Sequence, residues 1–217
     1  MSDIDNRRAI IDRRALAERM SDEDAAALLA EALADGRVEI ARRLAEQPGA
    51  GRAAAQATSF LHDQIVRLAY DQSGAPLGPG LALVALGGTG RGEMAPFSDL
   101  DLMFLTASAP TAGQQKAAEA ILHLLWDLKL KVGHSIRSVD QLIALARSDM
   151  SVRTAFLEAR LLWGDDRLLG HAEQRFRKEI LSGSAAQFVA AKLAERDARH
   201  VRMGDSRYVV EPNVKDG

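Results

Sequence analysis

Two aspartates separated by a single leucine, Asp99 and Asp101, follow a pair of glycines, Gly87 and Gly88, in the stretch LALVALGGTGRGEMAPFSDLDLMFL at 81–105. Carboxylates two residues apart on an extended chain share one face and lie within reach of a common cation. Without a metal, like charges that close repel each other. Magnesium is the natural candidate, because hard oxygen donors and the oxygens of a bound triphosphate suit it, and two such ions can stabilise the attacking and leaving oxygens of an in-line phosphoryl displacement. Gly87 and Gly88 would let backbone amides approach phosphates where a side chain would obstruct, Ser98 could add a hydroxyl, and Arg91 could neutralise charge. An isolated D-x-D has a plainer reading, with Asp99 capping a turn and Asp101 at an exposed strand edge. The glycines and Ser98 in step with the pair favour the metal site.

Two other glycine-rich patterns do not fit. Gly90, Gly92 and Ala95 satisfy G-x-G-x-x-A, but a dinucleotide fingerprint must open a helix of several turns, and here Pro96 and the Asp99 segment arrive within a few residues. The phosphate-loop pattern fails because no Lys-Ser or Lys-Thr follows.

The elements that must position these residues are legible from periodicity. LALVAL (81–86) is a short all-apolar run of strand length, the mark of a strand covered on both faces. DLDLMFL (99–105) alternates, placing Asp99 and Asp101 on one face and Leu100, Leu102 and Phe104 on the other. A helix with a stripe through Ala118, Ile121, Leu122 and Leu125 follows, then VGHSIRS (132–138) as a third strand. Ser138 with Gln141 forms a capping box that opens VDQLIALARSD. Further helices are predicted at about 151–162, 166–181 and 185–203, the last opening on Ser184 and Gln187. Upstream, Ser21 with Asp24 reads as a capping box for a helix that Gly36 breaks or bends. PGAGR (48–52) reads as a loop, AAAQATSFLHDQIVRLAYDQ as an amphipathic helix with Phe60, Leu61, Ile65 and Leu68 at helical spacing, and SGAPLGPG (73–80) as a linker.

Composition limits the function classes. The 217 residues suit one domain or a core with an appendage; 47% are hydrophobic and 27% charged, as in a globular protein. The net charge of −2 supplies no global field for nucleic acid or an anionic membrane, so an anion site must be local. The amino terminus lacks the apolar run of an export signal, and no stretch approaches a membrane helix. Cysteine is absent, which excludes disulfides and thiolate zinc sites and agrees with a reducing cytoplasm.

GGTGRGEMAPFSDLDLMFL resembles the nucleotidyltransferase motif of the bacterial PII-protein uridylyltransferases, which reads G-G-x-G-R-G-E-(M/L)-x-P-x-S-D-x-D-L. VGHSIRS, TAFLEARLLWGD and YVVEPNVKDG extend the similarity over about 55–217. The resemblance implies an α+β fold of the DNA-polymerase-beta-like nucleotidyltransferase type, a small mixed sheet flanked by helices. It divides the chain into a helical amino-terminal extension (1–54), a nucleotidyltransferase core (55–164) and the start of a truncated helical domain (165–217). The implied reaction moves UMP from UTP to a tyrosine of the PII signalling protein. Asp99 and Asp101 are then the catalytic magnesium ligands, and Gly87, Gly88, Arg91, Gly92 and Ser98 the nucleotide-binding set. The implied protein is cytoplasmic, with no nucleic-acid or membrane partner. An adenylyl-transferring relative acting on glutamine synthetase and a non-catalytic nucleotide-binding module are the alternatives. Because the chain stops inside the E-P-N-x-K-x-G segment, it is expected to be a fragment without the UMP-removing and glutamine-sensing modules of that family.

Many relatives in the wider superfamily place a third carboxylate on the strand after the intervening helix, where this chain has Gly133, His134 and Ser135. Tyrosine activation would then fall to the metal, to Glu93 or Glu211, or to His134. Glu93 reads equally as a solvated acid or a partner of Arg91, and His134 as a hydrogen-bonded strand histidine. Trp126 and Trp163 read as packing residues, and His62-Asp63 as a chance doublet. Arg196, Arg199, Arg202 and Arg207 are either a docking surface or, with Asp197 and Asp205, a solvated face.

Overall fold

Two long helices make up most of the chain before the first strand. In the computed structural model, residues 4–20, 24–74 and 80–202 are described. Short helices α1 (Arg7–Ile10) and α2 (Arg13–Arg19) precede α3 (Ala25–Glu46) and α4 (Gly51–Gln72). Asp24 is the N-cap of α3, accepting from the Ala26 amide, and not the third helical residue of a capping box. Ser21 lies outside the described residues, as does most of the expected linker. Nor does Gly36 break α3. The helix runs straight through it because the missing side chain makes room: a Cβ there would stand 2.6 Å from Leu61 Cδ1 and 2.8 Å from the Ile10 carbonyl.

The remaining elements alternate. Strand β1 (Leu81–Ala85) leads into a one-turn helix α5 (Gly87–Arg91), then β2 (Leu100–Thr106), α6 (Ala112–Asp127), β3 (Val132–Ser138), α7 (Val139–Ser148), α8 (Met150–Leu157) and β4 (Arg160–Gly164). Helix α9 (Asp166–Phe176) continues as a π-helical turn to Leu181, and α10 (Ala185–Arg202) follows. The Ser138–Gln141 capping box forms as expected. Ser184 instead donates its hydroxyl to the Leu181 carbonyl.

Residues 160–164 correct the sequence reading, which continued a helix to about 162. They form β4, antiparallel to β1, and complete a sheet of order β3-β2-β1-β4. The β1–β2 pair is antiparallel, and β2–β3 is parallel across α6. Helices cover both faces. Leu83, Ala85, Leu100, Leu102 and Phe104 pack under α3, α4 and α6. Ala82, Val84, Met103 and Leu105 pack under α7, α8 and α9. This two-sided burial is the reason β1 is apolar at every position. The result is the mixed four-stranded sheet with helical regions before and after it that the resemblance implies, and it brings the turn after β1 to the start of β2.

Candidate active site

The turn is built from glycine because the backbone must reverse against a carboxylate. Gly87 has φ +53° and Gly92 φ +71°, values a residue with a Cβ adopts reluctantly. Between them α5 starts with amides that, in any first helical turn, have no intrahelical acceptor. A Cβ on Gly87 would lie 3.2 Å from Asp101 Oδ2, so the turn sits directly beside that carboxylate. Gly90 is pressed against the end of α8, where an added Cβ would come within 2.0 Å of the Glu158 carbonyl.

Asp101 is held by its backbone. Its carbonyl accepts from the Leu86 amide at 2.9 Å, and its amide donates to Thr89 Oγ1 at 3.2 Å. Across the parallel pairing it faces Gly133, where a Cβ would stand 2.6 Å from Asp101 Oδ1. The position opposite Asp101 on β3 therefore carries no third acid and no side chain at all. One carboxylate oxygen thus lies beside Gly87 and the other beside Gly133. Asp99 immediately precedes β2 and is exposed. Although Asp101 is also at the surface, partial burial of its carboxylate raises its pKa, and the like charge of Asp99 raises it further.

These two acids fit a magnesium ion. A cation would relieve the repulsion felt by Asp101, and one or two carboxylates completed by phosphate oxygens and water are an ordinary magnesium environment. Among the described residues no cluster of three or more histidine, aspartate or glutamate side chains is poised for a metal.

The other expected residues have specific partners. Arg91 is paired with Glu158 at 2.5 Å, and its guanidinium lies 3.7 Å from where a Gly88 Cβ would be. Gly92 ends α5, its amide bonded to the Thr89 carbonyl at 3.2 Å. Ser98 is exposed in the loop before Asp99, on the wall of an apolar groove of about 630 Å³ that α3 and α4 complete. Its neighbour Phe97 is 99% exposed at φ +65°. Glu93 pairs with Arg52 at 2.8 Å and with Gln56, not with Arg91, and the Arg52 guanidinium lowers its pKa. Glu211 lies outside the described residues.

His134 is exposed on β3 with its ring 5.7 Å from that of Trp126. Trp163 packs against Tyr70, Arg13 and Arg67. Arg196 pairs with Asp197 on the exposed α10, whereas Asp205 and Arg207 lie outside the described residues.

The His62-Asp63 doublet splits between two structural tasks. His62 is buried, its Nδ1 2.8 Å from the Thr58 carbonyl, and burial lowers its pKa. Asp63 forms a bidentate pair with Arg160 at 2.7 and 3.0 Å. Sequence reasoning gave no role to Thr89, Glu158 or Arg160, all of which touch the turn. The available signal was the charged pair Glu158 and Arg160 within the otherwise uncharged TAFLEARLLWG.

No protein-family model matches the chain. It is 50% identical over 232 residues to the bifunctional uridylyltransferase/uridylyl-removing enzyme of Novosphingobium aromaticivorans, which covers 99% of this chain and 25% of that protein. The enzymes of the same description from Rhodospirillum rubrum and Azospirillum brasilense are 45% and 43% identical, covering 97% and 100% of this chain and 25% of each relative. The chain spans about a quarter of the length of these curated relatives. A solved structure of a Shewanella oneidensis HEPN toxin with its MNT antitoxin matches at 15% identity and a TM-score of 0.28, too remote to bear on the fold.

Proposed function

We propose, from the premise that this chain is a homologue of one quarter of the bifunctional uridylyltransferase/uridylyl-removing enzymes, that it is their nucleotidyl-transferring unit. In this reading the chain uses magnesium to transfer UMP from UTP to a tyrosine of the PII nitrogen-signalling protein, in the cytoplasm. Residues 55–164 are the transferase core, preceded by a helical extension (1–54) and followed by helices from residue 166 on. The observation that carries the reading is the Asp101 carboxylate set between Gly87 and Gly133, with Asp99 two residues away. Glycine at both positions lets the carboxylate lie close against the backbone of the turn and of β3, where a Cβ would crowd either oxygen out of place.

Asp99 and Asp101 hold magnesium, which supplies charge stabilisation at the phosphates. The Gly87–Gly88 amides and Arg91 bind and orient the triphosphate, Arg91 exchanging Glu158 for phosphate oxygens. Gly92 and Ser98 complete the nucleotide-binding set. The tyrosine oxygen attacks the α-phosphorus, its bond forms in line with the breaking bond to the bridging oxygen, and pyrophosphate leaves with that electron pair. The tyrosine proton, on a group whose free pKa is about 10, passes to water as the new bond forms.

The test is calorimetric titration of the chain with UTP, ATP, CTP and GTP, each with and without magnesium, beside the Asp99→Asn, Asp101→Asn double variant, followed by incubation with PII and UTP. The reading expects magnesium-dependent binding that favours UTP, is lost in the variant and accompanies modification of PII. Preference for ATP would refute the uridylyl assignment. Binding of UTP without any transfer would make the chain a nucleotide-binding module.

A further inference from the structure

Arg160, the first residue of β4, spends its guanidinium on four hydrogen bonds. Two go to Asp63 of α4. The other two go to the turn: Nη2 to the Thr89 carbonyl at 2.8 Å and Nε to the Gly90 carbonyl at 3.1 Å. These carbonyls close α5, where helical N–H donors run out, so the arginine caps the helix from outside. Thr89, 1% exposed, passes the constraint on, because its hydroxyl accepts the Asp101 amide. Two residues before Arg160, the Glu158 carbonyl seats Gly90 and the Glu158 carboxylate holds Arg91.

We propose that Arg160, anchored by Asp63, is a positioning residue for phosphoryl transfer, fixing the Gly87–Arg91 turn and, through Thr89, the backbone of Asp101. The inference rests on the functional reading above for what the site does, but the physical linkage is independent of it. A planar fork with five donors can satisfy a bidentate carboxylate and two carbonyls together, which a lysine ammonium cannot. Asp63 prevents the guanidinium from swinging away and balances its charge at a site where the aspartate side chain is only 12% exposed. The chain of bonds joins residues 63, 89, 101 and 160, which only the folded sheet brings together.

The experiment compares Arg160→Lys, Asp63→Asn, their double variant and the unmodified chain by amide hydrogen exchange and by magnesium–UTP calorimetry. Exchange at the Gly90, Gly92 and Asp101 amides is expected to accelerate at least tenfold in each single variant, with Met103 and Leu105 in mid-strand unchanged. That pattern is local opening of the turn; global destabilisation would move all of these amides together. The UTP dissociation constant is expected to rise at least tenfold, the double variant being no worse than the poorer single one, as for groups acting as a unit. Thr89→Ser should keep the Asp101 amide protected, while Thr89→Val exposes it. Unchanged exchange at the turn, or a uniform increase across β2, overturns the proposal. Should Arg160→Lys fail to fold, Asp63→Asn, which alters no side-chain volume appreciably, decides it by the same criterion. If the unmodified chain binds no magnesium–UTP, the functional reading falls, and the exchange pattern by itself still upholds or overturns the linkage.

Discussion

Gly133→Ala probes the site with a single methyl group. The new Cβ would stand 2.6 Å from Asp101 Oδ1 and 3.8 Å from its Cγ, which leaves the oxygen about 0.8 Å short of an ordinary van der Waals contact. Only the carboxylate can yield cheaply, because Gly133 and Asp101 are locked in register along seven paired positions of β2 and β3. It must therefore turn away from Gly133, which displaces the oxygens proposed to hold the cation. Disturbing what orients a metal ligand costs about 10- to 100-fold in metal affinity, so magnesium-dependent UTP affinity is expected to fall by about that factor.

Folding responds far less. Alanine in a strand gains about 0.5–1 kcal/mol over glycine, against about 1–3 kcal/mol for overpacking, a net loss of about 0–2.5 kcal/mol. Calorimetry with magnesium–UTP and a thermal melt separate the two effects. The melting temperature should drop by only a few degrees, at about 2–4 °C per kcal/mol for a chain of this size. The same substitution in an Asp101→Asn background should add little, since it acts through the carboxylate. Affinity within twofold of the parent would refute the reasoning, because Asp101 would then not need the space that Gly133 leaves.

Four further outcomes follow from the structure. Burial, then the charge of Asp99, raises the Asp101 pKa in the folded state, so the folded protein binds more protons than the unfolded chain between the ordinary carboxylate value and the raised one. This contribution favours folding below the ordinary value and is lost as pH rises through the raised value. Asp101→Asn should accordingly raise the melting temperature at neutral pH, with the advantage vanishing toward about pH 3.5; a difference independent of pH would contradict it.

Gly170 lies exposed inside α9 with nothing within 4 Å of an added Cβ, so Gly170→Ala should stabilise by about 0.5–1 kcal/mol. Gly36→Ala, facing Leu61 Cδ1 at 2.6 Å and the Ile10 carbonyl at 2.8 Å, should instead cost about 1–3 kcal/mol, and its melt tests the packing of α3 on α4. Buried Arg153 donates to the Ala146 and Arg147 carbonyls at the end of α7, so Arg153→Leu should destabilise by about 1–3 kcal/mol by stranding those acceptors. A denaturant midpoint equal to the parent's would contradict that.

The proposed site is a local pattern in the residues. Asp99, Asp101 and the glycines before them are neighbours along the chain, and a strand, a tight turn and a returning strand need only local rules to be recognised. The all-apolar LALVA and the Ser138–Gln141 box were equally local, and both took the form their patterns predict.

What could not be read was whatever depends on a distant partner. RLLWG continues a run of good helix formers, and it becomes β4 only because β1 offers an open edge whose backbone groups need pairing. Gly36 looks like a helix breaker until Leu61 arrives against it. Asp63 and Arg160, 97 residues apart, carry no mark of each other in the sequence. Their pairing exists because the sheet and α4 pack face to face, whereas the bond from the Asp101 amide to the Thr89 hydroxyl forms where β2 returns beside β1. Short-range patterns specify elements, whereas the contacts that aim a carboxylate depend on how those elements close around a common core.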